Sequence, residues 1–160
     1  MTMATGIVDL LNSRPYANLP DKLDDPGTAQ VVLRPFGQEG PPPAARIEQV
    51  RAVRDALVAL AGEGGDWADL TARLSAATFG YDFDDGVRLR QVTGDPVLGR
   101  IAQEVAALVT AGNWTRLRLC ANDECREAFY DNTRSRTRRW HSYEYCGNKV
   151  NVAAHRARGK

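Results

Sequence analysis

Three cysteines and one histidine in the last third of the chain limit most tightly how it can fold. Cys120 and Cys125 enclose four residues, fifteen residues follow, and His141 and Cys146 again enclose four. Two short loops closed by thiol and imidazole donors follow the ligand pattern of a tetrahedral metal site. Zinc, which has no d-electron preference of its own, accepts three sulfurs and one ring nitrogen readily. The plain alternative is three buried thiols and a surface histidine. Against it, every cysteine falls within 27 residues, in the one region poor in aliphatic side chains. The pattern predicts one structural Zn2+ held by Cys120, Cys125, His141 and Cys146. No fifth donor suggests an open, catalytic position. His155, nine residues past Cys146, reads as a polar residue of a terminal helix.

Charge divides the chain at the same place. Residues 1–114 hold ten Lys+Arg and fifteen Asp+Glu, a net of −5, whereas residues 115–160 hold eleven and five, a net of +6. Such asymmetry points to an anion-seeking tail, or to two halves that attract each other. A 43% hydrophobic share and a 26% charged share are those of a soluble globular chain. The longest apolar run, Ala56 to Ala61, is far too short to span a bilayer. Met1-Thr2-Met3-Ala4-Thr5 shows no basic segment leading into an apolar one, so no leader is expected. Clustered thiols suit a reducing compartment, with the cytoplasm as the expected location.

The front part reads as mostly helical. Residues 6–14 carry a short apolar helical pattern, and Pro15 and Pro20 bracket a loop. Asp25-Pro26 marks a helix start, and Pro35 ends that helix. Ala44 to Ala61 has the clearest helical stripe, with Ile47, Val50, Val53 or Arg54, Leu57, Val58 and Ala61 on one face and Gly62 after it. Asp66 can cap a helix through Leu70 and Leu74, and Asp95-Pro96 opens another through Val97, Leu98, Ile101, Val105, Leu108 and Val109. Between them, two alternating stretches flank Asp84-Asp85-Gly86, a hairpin signal. No Gly-rich phosphate loop, paired carboxylates or nucleophile motif is present to indicate catalysis. Tyr16, Trp67, Phe79, Tyr81 and Phe83 read as core. The competing reading gathers Tyr16, Trp67, Tyr81 and Phe83 around a small-molecule pocket, of an enzyme or a binding protein, with the zinc purely structural.

The expected fold class is mainly α with a small β-hairpin: a helical N-terminal domain over 1–113, then a treble-clef-like zinc finger over 114–160 with a basic C-terminal helix. The segment after Trp114 alternates into the first ligand pair, and Ala128-Phe129-Tyr130 reads as a return strand. From residue 132 onward, Arg134, Arg136, Arg138, Arg139, Lys149, Arg156, Arg158 and Lys160 face one acid, Glu144. Basic density of this kind fits phosphate contact, and Asn148, Lys149 and Asn151 are types that meet base edges. DNA is the expected partner; RNA or an acidic protein shares the same charge logic.

Leu117-Arg-Leu-Cys-Ala-Asn, the Arg-x-Arg-Arg-Trp run ending at Trp140, and Cys146-Gly147-Asn148-Lys149 resemble the CGNR zinc finger over about residues 114–158. Asp9-Leu-Leu-Asn-Ser-Arg and the helices up to Gly112-Asn113-Trp114 look like a shortened ABATE domain, which precedes that finger in the family. The resemblance implies a DNA-binding regulator of transcription whose front domain senses a small-molecule effector or mediates assembly, as in a homodimer. His141 stands where the family usually has cysteine, and Lys149 stands where its name calls for arginine. Lysine keeps the charge but loses the planar fork used for bidentate contacts.

Overall fold

Aspartate caps set three of the six helices in the computed structural model, which describes residues 4–62 and 64–158. Residues 1–3, with most of the stretch read for a leader, and Lys160 of the basic tail lie outside the described residues. Helix α1 spans Thr5–Leu11 and buries Ile7, Leu10 and Leu11. Helix α2, Pro26–Leu33, begins as the sequence predicts: the Asp25 carboxylate accepts from the Thr28 amide at 2.8 Å. A 3-10 turn, Arg34–Phe36, follows it. Helix α3, Ala44–Ala61, is the long central element. Helix α4, Trp67–Leu74, is capped by Asp66. Helix α5, Pro96–Thr110, is capped by Asp95, which accepts from the Val97 and Leu98 amides. The other Asp95 oxygen takes the Arg46 Nε at 2.7 Å, so one carboxylate starts α5 and pins it to α3.

Strands β1, Thr78–Asp82, and β2, Arg88–Thr93, form an antiparallel hairpin with Tyr81 opposite Leu89. Gly94 follows at φ +90°, where an added Cβ would lie 2.6 Å from the Ala76 carbonyl oxygen; the chain turns into α5 there because glycine permits it. The core expectation for the aromatics is overturned in the hairpin. Tyr81 and Phe83 are 69% and 70% exposed, with no second layer over their side of the hairpin among the described residues. The structure also does not gather these aromatics around one pocket. Trp67 pairs edge-on with Trp114 at 5.2 Å, Tyr81 with Phe83 at 6.2 Å, and Tyr16 lies under Arg14, so three separate places hold them.

A second antiparallel pair lies in the finger: β3, Leu117–Leu119, and β4, Ala128–Tyr130, with Leu117 opposite Tyr130. One turn of π-helix, Tyr143–Gly147, leads directly into helix α6, Asn148–Arg158. Leu117 and Ala128 belong to the same buried cluster as Leu10, Leu33, Val50, Leu57 and Ile101. The finger strands therefore complete the core of the helical part, with β4 against α1 and β3 against α3. A smaller cluster holds Cys120, Cys125, Phe129 and Cys146.

The α3 stripe contains one residue that apolar spacing misplaces. Arg54 is 3% exposed. Its Nη1 reaches Asp21 Oδ1 at 2.8 Å and Ser13 Oγ at 3.3 Å, and its Nε reaches Asp55 at 3.1 Å. Burying a guanidinium is tolerable only with such pairing. Burial alone would raise the Asp21 carboxyl, but hydrogen bonds from Arg54 and the Leu23 amide hold it below the ordinary value of 3.8.

Candidate metal centre and its basic surroundings

The first ligand loop is an Asx turn. Asn122 is 7% exposed; its side-chain oxygen accepts from the Glu124 amide, and its carbonyl accepts from the amides of Cys125 and Arg126. Arg126 takes φ +57°, and the chain reverses so that the Cys120 amide donates to the Glu127 carbonyl at 2.8 Å. On the other side, Ser142 caps the π-turn by accepting from the Tyr145 amide. Cys146 falls inside that first turn, and its own amide donates to the Ser142 carbonyl at 3.0 Å.

These two loops bring Cys120, Cys125, His141 and Cys146 together with all four donor atoms within 4.8 Å of one another. His141 Nδ1 lies 3.4 Å from Cys125 Sγ and 3.7 Å from Cys146 Sγ. Zinc bonds of about 2.3 Å to sulfur and about 2.0 Å to nitrogen, at tetrahedral angles, set that separation at about 3.5 Å. The donor set fits one structural zinc ion. Burial pushes the Cys125 thiol up to about 12, with Cys146 and Cys120 adding to the shift and the Glu127 backbone amide opposing it. Thiols this close resist ionising together, and a bound dication removes that obstacle. His155 is exposed on α6 and outside the group.

Around the ligands, the structure assigns roles that spacing could not. The other ring nitrogen of His141, Nε2, lies 3.2 Å from Glu127 Oε2, which fixes the ring orientation and the donating nitrogen. Gly147 is the residue that lets the aromatics close over the turn. An added Cβ would lie 2.8 Å from Tyr143 Cδ2 and 3.1 Å from Trp140 Cε3.

Residues 116–159 match the family model of the CGNR zinc finger.

The match covers the finger alone, and no curated protein matches the chain. Within the matched segment, the expected nucleic-acid residues separate into two groups. Arg138 is folded inward: its Nε donates to the Trp140 carbonyl at 2.9 Å, its Nη2 donates to the His141 carbonyl, and it lies 5.3 Å over the Phe129 ring. Lys149 pairs with Glu124 of the first ligand loop, tying the start of α6 to the opposite knuckle. Arg139 stacks at 5.2 Å on Trp140 yet stays exposed. Arg134, Arg136, Arg156 and Arg158 are exposed, with no carboxylate partner among the described residues; Asn148 and Asn151 are exposed at the start of α6.

Asp131 carries no sequence signal, and Asn12 enters only through the Asp9-Leu-Leu-Asn-Ser-Arg resemblance, which implies no contact with the finger. Asp131 is fully buried and accepts from Thr133 Oγ1 at 2.5 Å and from the Thr133 and Arg138 amides at 2.9 Å, shaping the basic loop from within. Asn12 and Arg14 reach the finger from the end of α1. The Asn12 side chain bonds both backbone groups of Ala128, and Arg14 donates to the Arg126 carbonyl. No helix among the described residues is long and apolar enough to cross a membrane.

Proposed function

We propose that the finger is a treble-clef-like module that binds duplex DNA, and that the chain is a cytoplasmic DNA-binding regulator of transcription. Helix α6 supports this reading most. It leaves the metal cluster with no residue buried along Asn148–Arg158 and carries Lys149, His155, Arg156 and Arg158. A polar helix without a protein face to pack on is suited to a groove lined with phosphates. Arg134, Arg136, Arg139, Arg156 and Arg158 are the phosphate contacts in this reading, and Asn148 and Asn151 the residues that meet base edges. Arg138 and Lys149 act through the fold, by holding the basic loop and the start of α6.

The helical front part, as an ABATE-like domain, would receive an effector or mediate assembly into a homodimer. Its Asn12 and Arg14 contacts supply a direct route to β4 and the first ligand loop. A cleft of about 470 Å³ between α4 and α5, lined by Trp67, Leu70, Leu74, Val105 and Val109, favours a second reading. There the front part binds an apolar small molecule and the zinc only braces the tail.

Selection from a random duplex library with the zinc-loaded full chain tests the first reading. Binding should weaken by orders of magnitude between about 50 and 200 mM salt, since each lost phosphate contact changes the slope by about 0.9. Arg156→Ala with Arg158→Ala should weaken all sequences alike. A chain that binds no duplex at low salt is not a DNA reader.

A further inference from the structure

Beyond α6, a cleft of about 350 Å³ opens where the end of α3 meets the finger, and four arginines from three stretches line it. Arg118 comes from β3, Arg126 from the first ligand loop, and Arg138 and Arg139 from the basic loop; Gly62 and Ala121 form part of the wall. No carboxylate lines it among the described residues, and Glu63, next in sequence to Gly62, lies outside them. Asp131, whose charge acts on Arg118, is buried and already accepts three hydrogen bonds.

We propose that this cleft is a binding site for a phosphate group. One of its guanidinium groups is held in advance: Arg118 Nη1 donates to the Arg138 carbonyl at 3.0 Å. The Arg138 guanidinium itself turns to the Trp140 and His141 carbonyls and the Phe129 ring, none of which lines the cleft, so that Arg138 braces Arg118 through its backbone. Little rotamer freedom remains for Arg118 to lose when a ligand arrives. Arg126 and Arg139 are exposed and can close from the open side. The like charges of Arg118, Arg126 and Arg139 around one concavity repel one another, and an oxyanion relieves that repulsion through charge-assisted hydrogen bonds. The C-terminal end of α3 brings at most about half an elementary charge of opposing sign, too little to cancel these guanidinium groups. Occupancy would join α3 of the helical part to the finger, so the site also couples the two. It uses no α6 residue and shares only Arg139 with the DNA reading.

Calorimetric titration of the zinc-loaded full chain with inorganic phosphate and pyrophosphate tests it. The expected result is saturable one-to-one binding, tighter for pyrophosphate. Arg126→Ala with Arg139→Ala should weaken it about tenfold or more, with zinc content and circular dichroism unchanged. Ala121→Glu, at an exposed wall position, should abolish it without removing any arginine. Arg156→Ala with Arg158→Ala should leave it intact even where duplex binding is lost. Competition with a short duplex assigns the source: displacement of pyrophosphate makes the natural phosphate a nucleic-acid one, and no displacement makes it a free phosphorylated molecule. Absent or non-saturable binding, or equal loss in the tail variant, would overturn the site.

Discussion

The side-chain amide of Asn12 grips both backbone groups of Ala128 across 116 residues of sequence, donating to its carbonyl at 2.8 Å and accepting from its amide at 2.8 Å. A three-residue strand has few partners of its own, and Asn12 supplies the pairing that an additional strand would give β4. Both ends of the contact are buried. Asn12→Ala leaves two backbone groups without partners and should cost about 2–4 kcal/mol in denaturant unfolding. A change under about 0.5 kcal/mol would show that water replaces the amide.

Glu127 should govern zinc affinity although it is not a ligand. Glu127→Ala frees the Nε2 side of His141 and is expected to weaken zinc binding about 10- to 100-fold. Competition with a chromophoric chelator measures this. Glu127→Gln, which keeps an acceptor, should fall between the two proteins.

Metal removal should be felt outside the finger. Leu117 and Ala128 belong to the core that α1 and α3 share. Chelation should therefore remove amide protection over residues 117–147 and also lower it at Leu10 and Leu11 of α1, while α5 changes least. Hydrogen exchange with and without chelator reads both. Unchanged protection in α1 would mean that the strands keep their place without the metal.

Arg138→Ala and Arg139→Ala should behave differently despite adjacency. Loss of Arg138 orphans the carbonyls of Trp140 and His141 beside the metal site and should lower finger stability by about 1–3 kcal/mol. Loss of Arg139 should leave stability within about 0.5 kcal/mol and lower anion affinity instead. Thermal unfolding and anisotropy on the same samples separate the two effects.

Asp21→Ala should destabilise the helical part by about 3 kcal/mol, because it leaves the buried Arg54 with the exposed Asp55 as its one remaining carboxylate partner among the described residues. The Asp21 carboxyl, held below its ordinary value of 3.8 by Arg54, contributes stability that is complete above that value. The contribution is lost as pH falls through the lower, folded-state value. The stability gap between wild type and variant should therefore persist down to about pH 4 and narrow only below it.

The sequence by itself determined the elements governed by local chemistry. Asp25, Asp66 and Asp95 cap helices because a carboxylate two or three residues before a free amide has few other places to go. The four zinc ligands were legible for a similar reason, since two short loops can be closed only by donors at those spacings. Arg54, Arg138 and Lys149 were not legible. Spacing gives a residue's face on its own element, but whether a cation reaches solvent depends on which carboxylates and carbonyls the fold carries to it. Asp21 reaches Arg54 across 33 residues, and Glu124 reaches Lys149 across 25. The exposure of Tyr81 and Phe83 is decided the same way, by the absence of any layer over the hairpin among the described residues. Alternation in a strand marks one face as apolar; only tertiary packing supplies what covers that face.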